Sequence, residues 1–526
     1  MRKDHITLTL ALAVMTLGCN DSVKKLPIQD NEPINFSKSQ KIPEFPETER
    51  IEKIQETLSN TGTVFEEFAK KNHLPGIAFG IVVDHALVHS GGYGTVNLTS
   101  QHPVTDQSLF RIASMTKSFT AMAILKLWEN GMLSLADPAA KIIPELAKLT
   151  YLTEDATPIT INNLLTMTAG FPEDNPWGDR YLDMSDEDFM KLLGEGISFS
   201  TVPSHQYEYS NLGYGILGNI ITRVSGMPYQ QYITKSILEP LGMNNTYWEY
   251  SDVPDELLAL GYRWEDEQWK EEPMLHDGAF GAMGGLITSI EDFSKYVSFH
   301  LSAWPERNGE DTGPVTRSTL REMQRMNNPG LSMEKWRFGD NSFPVIRGYG
   351  FGLVAMKDHR DIMEVGHNGG LPGFGSSYLF YPEYGIGIMA FCNLTYAGGT
   401  AKRANYEIIK ALIEQELFKP RVLQISDILA QRKEQVVELI KSWDPALEKE
   451  ILAKNFFMDR SREDRMEDAG KAFTSLGEIV SIEPLIPENQ LRGSFIMKGT
   501  RGSVEVFFTL TPESTPRVQW LSFHPK

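Results

Sequence analysis

The chain has 526 residues, of which 41% are hydrophobic and 23% are charged, with 29 prolines and 43 glycines. This composition excludes disordered, collagen-like and disulfide-scaffold chains, and the length predicts several domains. The formal net charge of -19 argues against nucleic acid as a partner, because affinity for a phosphate backbone comes from lysine and arginine side chains.

The first 19 residues are typical of an export signal. Two basic residues precede the apolar run 6–17, which is too short to span a bilayer but suits a secretory signal. The run ends at Cys19, in a sequence that resembles a bacterial lipoprotein cleavage site. We therefore expect a lipoprotein signal peptide over residues 1–19 and a polar, proline-containing tether over residues 20–46. The protein would be lipid-anchored on the periplasmic or extracellular face of a bacterial cell envelope, and a plain secretory signal is the alternative.

Cys392 is the only cysteine besides Cys19. No internal disulfide is expected if Cys19 carries a lipid, because a single thiol then remains. Cys392 lies within the apolar run 385–392, which is typical of a buried strand. We expect it to be a structural residue rather than a nucleophile.

Residues 47–420 are predicted to form an α/β domain. Two β-rich runs lie near its start, at 77–83 and 86–91, and short strands with glycine turns return over residues 349–393. Between them, residues 135–299 have a mostly helical pattern. These elements predict a sandwich whose sheet is made from both ends of the domain, with a helical insertion between.

Residues 421–526 are predicted to form a separate, smaller α+β domain. Helical patterns come first, and four β-rich runs follow them. Helices followed by an antiparallel sheet fit such a unit. The order and length of these elements resemble the cystatin-like roll of nuclear transport factor two, a fold that often serves as an appended module.

Ser114 and Lys117 form a Ser-x-x-Lys pattern at the start of a predicted helix. Positions three apart on a helix share one face, with about 5 to 6 Å between Cβ atoms. A serine hydroxyl needs a base to become a nucleophile, and a lysine whose pKa is lowered by burial can be that base. The pattern also occurs at Ser22 and Ser332, but only Ser114 opens an apolar helix, over residues 121–128.

A second motif, Tyr209-Ser210-Asn211, lies in a loop just before another helical pattern and is the only Tyr-x-Asn in the chain. A phenol can pass protons between a nucleophile and a leaving group. A nearby asparagine amide can hydrogen-bond a substrate carbonyl. The alternative interpretation is a turn with a surface tyrosine.

A third motif, His367-Asn368-Gly369-Gly370, follows the predicted strand 361–365. Glycines at this place let a substrate backbone approach the edge of a strand. We expect the strand to end at the motif and residues 369–375 to form a turn. The alternative for His367 is a hydrogen-bonded residue without a functional role.

The three motifs in this order resemble those of the serine β-lactamase and penicillin-binding-protein superfamily, closest to its class C and D-peptidase/esterase branch. The resemblance covers about residues 49–418. Three further stretches support it, at residues 131–138, 159–170 and 238–243. It implies an antiparallel sheet flanked by helices, with an all-helical subdomain.

The resemblance also assigns a role to each motif residue. Matched position by position, it implies a nucleophile at Ser114, an activating partner at Lys117, a proton shuttle at Tyr209, substrate contacts at Asn211, His367 and Gly369, and an oxyanion hole formed by the N–H groups of Ser114 and Gly370. It leaves open whether Lys117 or Tyr209 is the base for acylation.

The third motif departs from the pattern of the penicillin-acting members, which usually have Lys-Thr-Gly or Lys-Ser-Gly there to bind the carboxylate of the antibiotic. This chain contains neither tripeptide. The resemblance therefore implies a serine hydrolase acting on an ester, an amide or a D-amino-acid peptide. The alternatives are a penicillin-binding protein, a β-lactamase, or a receptor that binds peptidoglycan fragments without turnover. No cofactor is expected, and no sequence motif predicts a metal site.

Overall fold

The computed structural model of the chain describes residues 41–59, 62–338 and 341–526. The predicted signal peptide, with Cys19, and residues 20–40 of the predicted tether lie outside the described residues. Contacts between residues divide the described chain into two units, which are essentially Ile42–Val422 and Leu423–Lys526. Across the described ranges, we find no helix with the length and apolar character needed to cross a membrane.

The first unit alternates short strands and helices. Its helices are α1 (Arg50–Leu58), α2 (Gly62–Lys71), α3 (Thr116–Glu129), α4 (Ile161–Leu165), α5 (Asn175–Gly178), α6 (Asp186–Glu195), α7 (Asn211–Ser225), α8 (Tyr229–Ile233), α9 (Glu239–Leu241), α10 (Gly281–Gly284), α11 (Ile290–Leu301), α12 (Arg317–Met323) and α13 (Gly398–Glu414). Its strands are β1 (Gly76–Val83), β2 (Ala86–Gly94), β3 (Phe110–Arg111), β4 (Tyr262–Glu265), β5 (Gln268–Glu271), β6 (Ile287–Thr288), β7 (Asn328–Phe338), β8 (Asn341–Tyr349), β9 (Val354–Asp358), β10 (Met363–Leu371), β11 (Phe374–Tyr381) and β12 (Ile386–Cys392).

The large sheet has the order β2-β1-β12-β11-β10-β9-β8-β7 among the described strands, and its neighbouring strands are antiparallel. β1 pairs with β12, so the sheet is made from both ends of the domain. Helices α2 and α13 pack on the sheet, as does α11, and the strands β1, β11 and β12 are buried along their whole length. The predicted antiparallel sheet flanked by helices is confirmed.

The helical part of this unit places two motifs side by side. Helix α3 is buried on almost all sides, which fits its apolar sequence. Helix α7 packs against both α3 and α10. It begins where the Ser210 hydroxyl accepts a hydrogen bond from the Gly213 N–H, and it ends at Gly226, which adopts a left-handed φ of 74°. The first turns of α3 and α7 are thereby held next to each other.

The second unit is an α+β fold with its helices first. Its helices are α14 (Asp427–Ser442), α15 (Pro445–Ile451), α16 (Phe456–Asp459) and α17 (Arg462–Leu476), and its strands are β13 (Ile479–Ile482), β14 (Ile486–Asn489), β15 (Arg492–Gly499), β16 (Ser503–Leu510) and β17 (Val518–Pro525). The sheet order is β13-β15-β16-β17, with β14 also paired to β15. Strands β15 and β16 alternate buried and more exposed residues, so one face of the sheet forms the core with the helices. The cystatin-like resemblance stays a prediction.

Candidate active site

The turn that carries Ser114 is tightly constrained. Residues Ala113–Met115 form a 3-10 turn that leads directly into α3. Ala113 has a φ of 51°, in the left-handed region, which costs a residue with a Cβ about 1 to 2 kcal/mol. The Ser376 hydroxyl of β11 donates a hydrogen bond of 2.7 Å to the Ile112 carbonyl and so ties the turn to the sheet. Ser114 itself is only 7% exposed.

Lys117 lies one turn along and is completely buried. Its Nζ is 3.0 Å from Ser114 Oγ, 2.7 Å from Asn211 Oδ1 and 2.9 Å from the Met283 carbonyl oxygen of α10. Burial lowers the pKa of Lys117, and the carboxylate of Asp179 partly opposes this effect. The sequence pair is therefore brought together with the lysine in a setting that favours the neutral amine.

Tyr209 is brought to the same point from the residues just before α7. Lys117 Nζ lies 5.0 Å from the centroid of its ring. Burial raises the pKa of Tyr209 well above its ordinary value, and a hydrogen bond with Ser114 only partly opposes the rise. The phenol therefore keeps its proton at neutral pH.

Asn211 is fully buried, and its side-chain amide is engaged within the protein. Its Oδ1 accepts from Lys117, and its Nδ2 donates to Asn175 Oδ1 at 3.1 Å and to Asp179 Oδ1 at 3.3 Å. The side-chain amide of Asn211 is thus bonded to Lys117 on one side and to Asn175 and Asp179 on the other. The role as a substrate contact stays a prediction.

Two carboxylates that the sequence analysis missed support this group. Asp174 accepts hydrogen bonds from the backbone N–H groups of Asn211 and Leu212, at 2.6 and 2.8 Å, which caps the start of α7. Asp179 is 2% exposed, and burial raises its pKa although Lys117 opposes the rise. They flank the short helix α5, Asp174 directly before it and Asp179 directly after it, in a stretch that none of the three motifs includes.

The third motif lies inside strand β10 rather than after it. β10 continues to Leu371 and pairs with β11 through the motif, including Gly369 with Ser376. The predicted end of the strand is therefore wrong, and the turn predicted over residues 369–375 is shorter than expected, at Pro372 and Gly373 between β10 and β11. A Cβ at Gly369 would clash with the Ser376 hydroxyl and the Ile112 carbonyl, so the glycine permits the close approach of β10 to the Ser114 turn.

His367 is buried, and both of its ring nitrogens have partners. Nδ1 lies 2.5 Å from the Asn368 carbonyl oxygen and Nε2 lies 3.2 Å from the Tyr349 hydroxyl. A carbonyl requires a donor, which places the proton on Nδ1 and leaves Nε2 to accept from the tyrosine. Burial, and then the charge of Lys117, lowers the pKa of His367 to about 3. His367 is therefore neutral at physiological pH.

Residues of all three motifs line one cleft of about 300 Å³. Ser114, Tyr209, His367, Gly369 and Gly370 line it. The N–H groups of Ser114 and Gly370, the predicted oxyanion hole, thus belong to residues of one cleft. Its other lining residues are Asn175, Asp179, Tyr207, Arg347, Val354, Glu364, Gly366, Asn368, Leu379, Tyr396, Gly398, Gly399 and Lys402. Within the described ranges, no three His, Cys, Asp or Glu side chains are grouped so that they could hold a metal ion.

Comparison with known sequences gives one family and several relatives. The sequence model of the Beta-lactamase family matches residues 62–413. Protein flp of Staphylococcus aureus strain COL is 28% identical over 356 residues, which is 66% of this chain and 66% of that protein. Beta-lactamase-like protein 2 of Dictyostelium discoideum is 30% identical over 276 residues, half of each chain. This chain therefore spans just under two thirds of the staphylococcal relative.

Two solved structures share the fold. An octameric penicillin-binding protein homologue from Pyrococcus abyssi superimposes with a TM-score of 0.59 at 22% identity, covering 87% of this chain and 97% of that one. A penicillin-binding protein from Bacillus halodurans gives a TM-score of 0.53 at 22% identity, with 67% of this chain and 99% of that chain covered. At this identity the likeness establishes the fold.

Proposed function

The chain belongs to the beta-lactamase family, whose members are generally serine hydrolases, and we propose that it cleaves an ester or an amide through an acyl-enzyme on Ser114. The observation that carries this proposal is the 3.0 Å contact between Ser114 Oγ and the fully buried Lys117 Nζ. A lysine with a lowered pKa next to a serine hydroxyl is the arrangement that nucleophilic catalysis needs.

Lys117 is the acylation base in this proposal. The neutral amine takes the Ser114 proton as Oγ attacks the substrate carbonyl carbon, and a tetrahedral intermediate forms. Burial favours the neutral form of Lys117 and also the protonated form of Tyr209. A phenol that holds its proton cannot be the base, so these two opposite effects of burial support Lys117 over Tyr209.

Tyr209 delivers a proton to the leaving group. Its phenol lies in contact with Ser114 and within 5.0 Å, ring centroid to Nζ, of the lysine that has just become an ammonium ion. As the tetrahedral intermediate collapses, the leaving oxygen or nitrogen takes the phenol proton and Lys117 returns one to Tyr209. A water molecule then attacks the acyl-serine by the reverse sequence of proton transfers. The N–H groups of Ser114 and Gly370 stabilise the oxyanion in both steps.

The proposed substrates are esters, amides or D-amino-acid peptides rather than β-lactams. The third motif offers no fixed cation, because His367 is neutral and bonded on both nitrogens. The carboxylate of a penicillin would meet neither an ammonium group nor a hydroxyl at positions 367 and 368. The same proposal places the enzyme on a bacterial envelope, anchored by lipid at Cys19.

The test is intact-mass spectrometry after mixing with p-nitrophenyl acetate. Wild type is expected to gain one acetyl group transiently and to release p-nitrophenolate repeatedly. Ser114→Ala is expected to show neither result. Ser118→Ala is the matched control, because Ser118 is a buried serine one turn further along α3 whose hydroxyl bonds to the Met115 carbonyl. Turnover that survives in Ser114→Ala would overturn the proposal, and a permanent adduct on wild type would indicate a receptor instead.

A further inference from the structure

The cleft contains a cation that none of the three motifs supplies. Arg347 lies on β8, is partly exposed, and lines the same cleft as Ser114. Among the residues that the structure describes, its guanidinium makes no hydrogen bond and no ion pair. A guanidinium carries five N–H donors and a permanent positive charge. Within the part of the chain whose side chains the structure describes, the five donors of Arg347 are thus left for a ligand.

Lys402 is a second cation that lines the cleft near Arg347, and it is paired with the carboxylate of Glu364. Lys402 of α13 lies 3.3 Å from Glu364 Oε1, and Glu364 also accepts hydrogen bonds of 2.9 Å from the hydroxyls of Tyr381 and Tyr406. Among the described side chains of this part of the cleft, the negative charge of Glu364 thus faces the positive charges of Lys402 and Arg347. These three side chains together carry one surplus positive charge.

The positive charge of Arg347 acts on the lining of the cleft. It lowers the pKa of His367 and of Lys402, where burial is the largest cause, and it opposes the rise that burial gives the pKa of Tyr207. All three side chains line the same cleft. The guanidinium is therefore close enough to affect charged or polar groups that enter it.

The sheet register places Arg347 away from the nucleophile. Arg347 of β8 pairs with Met356 of β9, which pairs with Glu364 of β10. Strand β10 then runs from Glu364 to Gly370, where the predicted oxyanion hole lies, and six residues of strand span roughly 20 Å. A substrate that places its reacting carbonyl at Ser114 can therefore contact Arg347 only with a group several bonds away from that carbonyl.

We propose that Arg347 binds a carboxylate on the substrate, at the end of the cleft remote from Ser114, and so makes this enzyme selective for anionic substrates. The inference rests on the proposed function and extends it to a substrate class. A guanidinium can hold a carboxylate by two parallel N–H···O bonds, which gives direction as well as strength. The selectivity comes from Arg347 on β8 rather than from the third motif on β10.

The test uses pairs of p-nitrophenyl esters that differ only in charge. One member of each pair is a monoester of a straight-chain dicarboxylic acid with eight to fourteen carbons, and the other is its uncharged terminal amide. The measured quantity is the ratio of kcat/KM for the acid to kcat/KM for the amide. Wild type is expected to favour the acid at one chain length, and Arg347→Gln is expected to lower that ratio about 10-fold or more. Arg347→Lys should restore part of the preference.

The control is Arg325→Gln, which removes an exposed arginine outside the cleft and should leave the ratio at its wild-type value. A wild-type ratio of one at every chain length would overturn the proposal, as would a preference that survives in Arg347→Gln. If wild type cleaves no ester, the proposed function fails, and Arg347 is then tested by saturation-transfer NMR with glutarate against glutaramide. A glutarate signal that disappears in Arg347→Gln supports the binding role, and an equal signal in both proteins overturns it.

Discussion

Asn211 Oδ1 accepts a hydrogen bond of 2.7 Å from Lys117 Nζ, so the amide of the second motif holds the lysine of the first. An amide oxygen orients the amine without adding a formal charge beside it. This allows burial to keep the pKa of Lys117 low.

Asn211→Asp should therefore move the acid limb of kcat/KM to higher pH. The active form of Lys117 is the neutral amine, and an adjacent carboxylate stabilises the ammonium form, which raises the pKa by about 1 to 3 units. Activity at pH 7 should fall and should recover as the pH is raised. The measurement is a pH profile of kcat/KM with a p-nitrophenyl ester. Asn219→Asp, two turns further along α7, is the control, because it adds the same charge away from Lys117 and should leave the pH profile unchanged. An unchanged pH profile in Asn211→Asp would contradict the mechanism.

Lys117→Met should reduce kcat/KM almost as far as Ser114→Ala. Methionine fills a similar volume in this buried position but supplies no base. Because Ser114 and Lys117 act as a unit, kcat/KM of the variant that carries both substitutions should be no lower than that of either single variant, within error. Circular dichroism and thermal melting would verify that each variant is folded. A Lys117→Met enzyme within about tenfold of wild type would assign the base elsewhere.

Tyr209→Phe should slow turnover in a way that depends on the leaving group. Loss of a positioned proton donor costs about 10²- to 10⁴-fold, and the cost is largest when the leaving group is a poor one. The loss should thus be greater for an ethyl ester or an anilide than for a p-nitrophenyl ester. Tyr207→Phe removes another cleft hydroxyl and should show no such dependence. An equal loss for good and poor leaving groups would refute the role of Tyr209 as proton donor.

His300 should make the folded enzyme sensitive to acid. It is fully buried on α11, and burial lowers its pKa to about 3. Between about pH 6.5 and pH 3, His300 is protonated in the unfolded chain but stays neutral in the folded chain. The free energy of unfolding therefore decreases as the pH falls. By pH 5 this one residue contributes a loss of about 2 kcal/mol. Urea unfolding of His300→Gln between pH 7 and pH 5 should show a smaller loss than wild type, whereas the exposed His102→Gln should match wild type.

Cys19→Ser should release the protein from the membrane fraction. The serine hydroxyl does not replace the thiol that carries the lipid in the predicted lipoprotein signal. Fractionation and detergent partitioning of the expressed chain measure this directly. Cys392→Ala is the control, because Cys392 is buried in β12 and should not affect anchoring. A membrane-bound Cys19→Ser protein would rule out lipidation at this residue.

The sequence was most informative where chemistry follows local geometry. Ser114 and Lys117 are three residues apart, in the 3-10 turn and the first turn of α3, and this spacing brings helical side chains to one face. The sheet made from both ends of the domain followed from β-rich runs at 77–83 and 349–393. Local periodicity was sufficient for these features.

Other features depend on contacts that no local pattern encodes. Asp174 and Asp179 contact Asn211 only because the loop after residue 171 lies against the start of α7. Arg347 lies two strands away from the third motif. The neutral state of His367 is an effect of burial. The sequence predicted that the strand ends at the third motif, yet β10 continues through it, and the absence of a Cβ at Gly369 leaves room for the nearby Ile112 carbonyl.

The pairing of β1 with β12, in which Ile77 lies beside Cys392, has a consequence for how the protein is made. The centre of the large sheet closes only after the chain has been synthesised through residue 392. A shorter chain would leave the edges of β1 and β11 open to other strands, and open edges of this kind promote aggregation. Closure between such distant segments is also slow, because the long connecting loop must be ordered first. Hydrolytic activity would therefore appear only after β1 has paired with β12. A nascent chain, or a chain truncated before residue 392, would be inactive.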